Sequence, residues 1–142
     1  MKIKQPVEIV LGNTGKTALT KEIVADVKKQ KEANPEEMQK IFDAYVALVG
    51  EAKKAINAYD LKKIGQLMNK NQDLLRKINV SCKETEDIIS VAAANGALGA
   101  KLTGTGRGGL VLCLTPGKEL QEKVANAIER AGYKTTKTTI GG

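Results

Sequence analysis

Four glycines and one arginine lie together in residues 104–109, which read Gly-Thr-Gly-Arg-Gly-Gly. Glycine has no Cβ atom, so the backbone N–H groups of such a segment can closely approach a phosphate. Arg107 lies within the segment, and Lys101 precedes it. This glycine segment is therefore predicted to bind an anion. The alternative is a glycine-rich hairpin without a ligand, although a hairpin needs only one or two glycines.

The glycine segment also matches the spacing G-x-G-x-x-G, but its context differs from that of a dinucleotide-binding turn. Such a turn needs a strand before it and a helix after it. Here the short apolar run Leu110–Leu114 follows, and this run is typical of a strand. The segment is thus predicted to join two strands.

A second candidate anion-binding position lies near the start of the chain. A helix is predicted over residues 17–31, directly after the turn Gly12–Gly15. The free N–H groups and the dipole at a helix N-terminus favour anions. Thr17 is better explained as a helix cap. Thr20 and Lys21 lie one turn further in, where capping explains them less well, and they are predicted to contact an anionic ligand.

The composition excludes several kinds of site and partner. Histidine is absent, which removes histidine-based triads and the commonest metal ligand. Two cysteines do not form a disulfide framework, and no signal-peptide pattern is present, so a reduced cytoplasmic chain is expected. No apolar run is long enough to span a membrane. The net charge is +7, but lysines alternate with glutamates and aromatic residues make up only 3%, so no nucleic-acid partner is expected.

The order of predicted elements is strand, three helices, a fourth helix, strand, glycine segment, strand, helix, strand. Asn34-Pro35 and Asp60 start the two helices of a long antiparallel hairpin. Asn71 falls on the inward face of that hairpin and either bonds a backbone group or faces a site. Ser81 and Glu84 have the spacing of a capping box. Thr115-Pro116 is expected to start the last helix.

Without the helical hairpin and the helix before it, the order β-α-β-β-α-β remains, which is the split-βαβ arrangement. The predicted fold class is therefore α+β. It is a ferredoxin-like split βαβ with a four-stranded antiparallel sheet and an inserted helical hairpin. The length of 142 residues fits a single domain.

Three segments resemble one known family. Residues 101–109, following Asn95–Ala100, resemble the third motif of the GHMP kinases. Asn13-Thr-Gly together with Thr20–Val27 is similar to the segment that opens the C-terminal half in the mevalonate kinase branch of this superfamily. Asn71-Gln72 with Leu74-Leu75 is similar to the helix that precedes the capping box in the same branch. The similarity runs from Val7 to about Ile140, and the three segments in this order point to that branch.

The resemblance implies ATP-dependent transfer of a phosphoryl group to mevalonate, a step of isoprenoid biosynthesis. It places Thr20 and Lys21 near mevalonate, with Lys21 a candidate partner of its carboxylate. Arg107 would contact phosphate, face solvent, or pair with a carboxylate of another half. Lys101 has an equally good interpretation as an outward-facing strand residue. The residues expected near the ATP phosphates are Gly104, Thr105, Gly106, Arg107, Gly108 and Gly109.

The chain departs from the family in lacking the segments of an N-terminal half. The expected phosphate loop ending in Ser-Ser-Ala and the catalytic Asp in a Gly-x-Asp context do not occur. Residues 1–142 are therefore expected to form the GHMP kinase C-terminal domain, with no catalytic or metal-binding residue of its own and inactive alone. The catalytic base and the Mg²⁺ ligands are expected on an N-terminal partner half. A face left apolar by that half would promote homo-oligomers. The alternatives are another GHMP kinase, such as a phosphomevalonate kinase, or a non-catalytic ferredoxin-like anion-binding module.

Overall fold

The computed structural model of the chain describes residues 6–15, 20–78, 81–103 and 109–140. These residues form helices on both sides of a four-stranded sheet, and the predicted α+β order is confirmed. The elements in chain order are β1 (Val7–Asn13), α1 (Thr20–Ala33), α2 (Pro35–Asn57), α3 (Leu61–Lys77), α4 (Lys83–Ala94), β2 (Gly99–Thr103), β3 (Leu110–Leu114), α5 (Lys118–Arg130) and β4 (Lys134–Ile140). No helix within the described ranges is long and apolar enough to cross a membrane.

The strands are arranged in the order β2-β3-β1-β4, and each neighbouring pair is antiparallel. Leu11 pairs with Leu112 in the centre of the sheet, and Leu102 pairs with Val111 towards the β2 edge. This is the strand order of the split-βαβ arrangement that the sequence predicts. The short runs of β-branched and aliphatic residues between glycine-rich turns favour these strands.

One face of the sheet is covered by α4 and α5. Successive strand side chains point to opposite faces, so Val10, Val111 and Cys113 share this face. They pack against Ile88 of α4 and Ile128 of α5, both fully buried. The core is aliphatic, as the low aromatic content requires.

The opposite face is partly covered by α3. Ile9, Leu112 and Leu114 point to this side and pack against Ile64 and Met68. A smaller cluster, with Ile23 of α1 and Leu102 of β2 at its centre, lies at the edge of the sheet. Burying these three clusters supplies the main driving force for the fold.

Several predicted helix ends are confirmed and two are wrong. Pro35 begins α2, and the side chain of Asp60 accepts a hydrogen bond from the Lys63 N–H at 3.1 Å. The predicted capping box at Ser81 is wrong, because Cys82 is the N-cap of α4 and the Ser81 hydroxyl donates to the Glu86 carboxylate. The start of the last helix predicted at Thr115-Pro116 is also wrong, because α5 begins at Lys118, after Gly117, which has a φ of 93°.

Helix α3 approaches β2 so closely that two glycines meet. A Cβ atom on Gly65 would lie 2.3 Å from the Leu98 carbonyl oxygen, and one on Gly99 would lie 2.3 Å from the Gly65 carbonyl oxygen. Both neighbours are backbone atoms, which cannot rotate away. This contact therefore fixes the distance between the helix and the edge strand.

We expect Gly65→Ala to lower the free energy of unfolding by about 2 kcal/mol or more, because the added methyl group overlaps backbone. Gly50→Ala is the matched control. Gly50 is an exposed residue of α2, and no atom lies within 4 Å of the place that an added methyl group would take, so this change should be neutral or stabilising by up to about 1 kcal/mol. Urea unfolding measures both, and equal stability of the two variants would contradict the contact.

Glu86 joins the start of α4 to α3. Its carboxylate accepts hydrogen bonds from Arg76 at 2.8 Å and from Gln72 at 3.1 Å, and also from Ser81. Burial raises the pKa of Glu86, but these hydrogen bonds outweigh burial, so its pKa lies below the ordinary value of 4.5. The folded state therefore favours the ionised form.

A lowered pKa in the folded state gives a stabilising contribution that is present above the unfolded-state pKa and is lost as the pH falls through the folded-state pKa. We expect Glu86→Gln to be less stable than the parent chain at about pH 7, with the difference shrinking below about pH 4. Urea midpoints across this range measure the effect. Glu32→Gln, at an exposed position of α1, is the control, and a pH-independent difference for Glu86→Gln would contradict the assignment.

Candidate functional site

The glycine segment leaves the sheet between the ends of β2 and β3. Thr103 and Leu110 form the last strand pair before it, and the Thr103 hydroxyl donates to the Leu110 carbonyl oxygen at 3.3 Å. Gly109 has a φ of 74°, a left-handed conformation that favours glycine. The other predicted phosphate-binding residues, Gly104, Thr105, Gly106, Arg107 and Gly108, lie outside the described residues.

Thr14, which directly follows β1, binds the last residue of the glycine segment. The carbonyl oxygen of Gly109 accepts two hydrogen bonds from Thr14, from the backbone N–H at 3.0 Å and from the hydroxyl at 2.9 Å. Thr14 is itself buried. The last residue of the glycine segment is therefore fixed to the strand that leads into α1.

After Thr14 the chain turns out of the sheet. The Asn13 side-chain oxygen accepts a hydrogen bond from the Gly15 N–H at 2.8 Å, and Gly15 has a φ of 70°. This is an Asx-type turn, which asparagine and glycine favour. The predicted turn is confirmed only at its end, because Gly12 and Asn13 still pair within β1 and the chain turns at Thr14 and Gly15. Residues 16–19 are not described.

Helix α1 starts close to the entry of the glycine segment. Thr20 is its first residue, and Lys21 is exposed to solvent. Ile23 packs with Leu102, which lies two residues before Gly104. The structure thus brings the first turn of α1, with Lys21, to the end of the sheet from which the glycine segment leaves.

The outer edge of β2 is covered by side chains of α3. The Ala100 N–H donates to the Asn69 side-chain oxygen at 3.2 Å, and the Leu102 N–H donates to the Gln72 side-chain oxygen at 2.9 Å. The sequence analysis singled out Asn71, which instead lines a groove. Asn69 and Gln72 are three residues apart on one helix face, a spacing that is visible in the sequence but does not reveal its strand partner.

Lys101 lies on the open face of the sheet, the face that α3 only partly covers, and it is half-buried. Its ammonium donates to the Leu102 carbonyl oxygen at 2.8 Å, and burial lowers its pKa. It lies at an apolar groove of about 250 Å³ between the sheet and the helices α2 and α3. Lys101 is therefore not a fully exposed strand residue. Its hydrogen bond holds the ammonium at the backbone of β2 and does not direct it to the glycine segment.

The described residues offer no cluster suited to a metal ion. No group of three or more His, Cys, Asp or Glu side chains comes together within the ranges that the structure describes. Cys113 is buried in the core, and this burial raises the pKa of its thiol to about 12, so it is not a nucleophile at neutral pH.

Helix α2 leaves part of its apolar face uncovered. Phe42 and Val46 are 65% and 61% exposed, and Tyr45 and Val49 are exposed to a smaller extent. They lie on one face of α2, and Met38 is the buried end of that face. We call Phe42, Tyr45, Val46 and Val49 the α2 apolar stripe. Such a stripe is typical of an association surface.

The described neighbours of the glycine segment lie at one end of the sheet. The ends of β2 and β3, which flank the segment, and the first turn of α1 with its exposed lysine are found there. Backbone N–H groups and helix N-termini can bind phosphate without a metal ligand in the same domain.

Comparison with known proteins identifies the family. The family model described as "GHMP kinases C terminal" matches residues 52–134. A curated mevalonate kinase from Pyrococcus horikoshii is 44% identical over 129 residues, which cover 87% of this chain and 38% of that protein. The chain therefore spans about two fifths of that relative's length.

Solved structures show the same fold. The crystal structure of L. major mevalonate kinase in complex with R-mevalonate superposes with a TM-score of 0.94 and 35% identity, covering 99% of this chain and 44% of that one. A Streptococcus pneumoniae phosphomevalonate kinase superposes with a TM-score of 0.84 at 16% identity, covering 99% of this chain and 42% of that one, and this likeness concerns the fold alone. The family model matches more than half of the chain, so the chain belongs to the GHMP kinases and has the fold of their C-terminal domain.

Proposed function

We propose that this chain is the C-terminal half of an ATP-dependent mevalonate kinase that acts in isoprenoid biosynthesis in the cytoplasm. The observation that carries the proposal is its similarity to mevalonate kinases along nearly the whole chain. The fixed flanks of the glycine segment beside the start of α1 support the same function, because they offer an anion site at one end of the sheet.

In the proposed reaction an alcohol oxygen of mevalonate forms a bond to the γ-phosphorus of ATP, and the bond to the β-phosphate oxygen breaks. ADP leaves, and the alcohol proton passes to a base. Phosphoryl transfer depends mainly on positioning and on stabilising charge. The backbone N–H groups of residues 104–109 would donate to phosphate oxygens, and Arg107 would add a charge-assisted contact.

Thr20 and Lys21 would bind the mevalonate end of the site. Lys21 is exposed at the first turn of α1, where its ammonium and the helix N-terminus both favour a carboxylate. A mevalonate carboxylate bound there would direct its alcohol towards the glycine segment.

ATP is expected to bring Mg²⁺, and the described residues contain no group of side chains suited to hold it. We therefore place the Mg²⁺ ligands, the catalytic base and the main phosphate loop on an N-terminal half that pairs with this chain. The Mg²⁺ would neutralise phosphate charge. On this proposal the chain alone is inactive.

The α2 apolar stripe supplies a surface on which such a half could dock. Its side chains are exposed by up to 65%, which is unusual for four apolar residues on one helix face. Homo-oligomers through the same stripe are the alternative use of this surface.

A phosphomevalonate kinase is the second candidate, but its relation to this chain is one of fold at low identity. A non-catalytic anion-binding module is the third. The similarity to mevalonate kinases, at 44% identity over 129 residues, favours the first candidate over both.

The proposal is tested by a coupled assay of ADP release with mevalonate and Mg-ATP. We expect no activity from the chain alone and activity when it is mixed with a separately produced N-terminal half of a related mevalonate kinase. The Lys21→Met variant should raise the KM for mevalonate by about tenfold with a smaller effect on kcat, because a charged hydrogen-bond partner is lost. Lys28→Met, an exposed position on the same helix, is the control.

Activity of the mixture with phosphomevalonate instead of mevalonate would contradict the choice of acceptor. An unchanged KM for mevalonate in Lys21→Met would contradict the role of Lys21. A mixture that forms a stable complex and remains inactive with either acceptor would contradict catalysis.

Gel filtration with light scattering tests the docking surface. We expect the chain alone to self-associate as its concentration rises, because the α2 apolar stripe is exposed. The double variant Phe42→Ser and Val46→Ser should remain a monomer and should bind the N-terminal half more weakly. A parent chain that is monomeric at high concentration, with the same affinity for that half as the double variant, would contradict the surface.

A further inference from the structure

We propose that Gln72 is a positioning residue for phosphate binding. Its carboxamide fixes β2 immediately before the glycine segment, and the affinity of that segment for phosphate depends on this anchor. The inference rests on the proposed function, in which residues 104–109 bind the nucleotide phosphates.

Gln72 connects three elements through one buried side chain. It is 1% exposed, and its oxygen accepts the hydrogen bond from the Leu102 N–H at 2.9 Å. Its nitrogen donates to the Ser81 hydroxyl oxygen at 3.1 Å and to the Glu86 carboxylate at 3.1 Å. The carboxamide thus ties α3 to β2 and to the segment that starts α4.

The position of this anchor is what links it to the site. Leu102 lies two residues before Gly104, and its side chain packs against Ile23 in the first turns of α1. The backbone atom that Gln72 holds therefore belongs to the residue that connects both proposed anion-binding elements. Displacements of about 1 Å in a site can cost about a hundredfold in activity, so an anchor at this place has functional consequences.

The carboxylate behind the anchor is itself held in place. Glu86 pairs with Arg76 as well as with Gln72 and Ser81, and its lowered pKa keeps it ionised at neutral pH. An ionised acceptor fixes which side of the carboxamide donates. As a result, the Gln72 oxygen rather than its nitrogen faces the Leu102 N–H.

Asn69 provides a matched comparison. It makes the same kind of bond to the same strand edge, since its side-chain oxygen accepts from the Ala100 N–H at 3.2 Å. Ala100 is two residues further from the glycine segment, and Asn69 is exposed. A purely structural contribution of either edge contact would change stability alone, whereas positioning by Gln72 would also change the affinity for phosphate.

The experiment uses the ¹⁵N-labelled chain and its variants Gln72→Met and Asn69→Leu, each in complex with an unlabelled N-terminal half of a related mevalonate kinase and titrated with Mg-ADP. The amide signals of Thr103 and Gly109, which flank the proposed site, report binding, and thermal unfolding reports stability. We expect Mg-ADP to bind Gln72→Met about tenfold more weakly than the parent chain, because the loss of a buried hydrogen-bond partner is of this size. Asn69→Leu should bind as the parent does, even where its Tm falls.

Equal affinity of Gln72→Met and Asn69→Leu for Mg-ADP would overturn the inference. If the Thr103 and Gly109 amides of the parent chain show no response to Mg-ADP in this complex, the phosphate role of residues 104–109 is what fails. Whether Gln72 anchors β2 is then tested without nucleotide, by hydrogen exchange at the Leu102 amide and by the amide chemical shifts of Thr103 and Gly109. These should change in Gln72→Met and stay unchanged in Asn69→Leu, and the opposite result overturns the anchor.

Should Gln72→Met not fold, Gln72→Glu takes its place. That variant keeps an acceptor for Leu102 and loses the donor to Glu86. It should bind Mg-ADP more weakly than Asn69→Leu does, because two neighbouring carboxylates repel each other and displace the anchor. Binding as tight as that of Asn69→Leu would again overturn the inference.

Discussion

The outer edge of β2 is the place on which the arrangement of the domain depends. An edge strand presents N–H and C=O groups that have no strand partner, and leaving such groups buried and unpaired is costly. Here Asn69 accepts a hydrogen bond from the Ala100 N–H, and Gln72 accepts one from the Leu102 N–H. Lys101 donates to the Leu102 carbonyl oxygen. Side chains therefore take the place of a fifth strand.

This edge explains why the inserted hairpin belongs to the domain core. Side-chain amides reach the strand only if α3 comes very close to it, and the contact between Gly65 and Gly99 permits that approach. Once α3 is seated, α2 packs along it, and the first turns of α1 pack against Leu102. The helices that look like an insertion in the sequence thus determine where the glycine segment starts, while Thr14 determines where it ends.

Local patterns in the sequence predicted most of this fold, and contacts between distant residues account for the rest. Alternating apolar residues and glycine or proline breaks predicted the strands, and the Asn34-Pro35 and Asp60 helix starts are confirmed. The edge contacts of Asn69 and Gln72 were missed, because their partners lie 31 and 30 residues away in the chain. The capping box at Ser81 was also wrong. A spacing of three residues fits a cap, but the Ser81 hydroxyl accepts from Gln72 of α3 and donates to Glu86, and Cys82 is the N-cap.

Lys101 shows that a charged residue close to the glycine segment in the sequence need not face that segment in the fold. It stands three residues before the glycine segment, yet strand alternation turns its side chain to the open face, away from the Leu102 and Ile23 cluster. There its ammonium is engaged by the Leu102 carbonyl oxygen, and burial lowers its pKa. Its hydrogen bond directs the ammonium to the backbone, whereas Lys21 is exposed at the start of α1. In the proposed site the binding of phosphate and carboxylate therefore depends on backbone N–H groups, the start of α1 and the exposed Lys21.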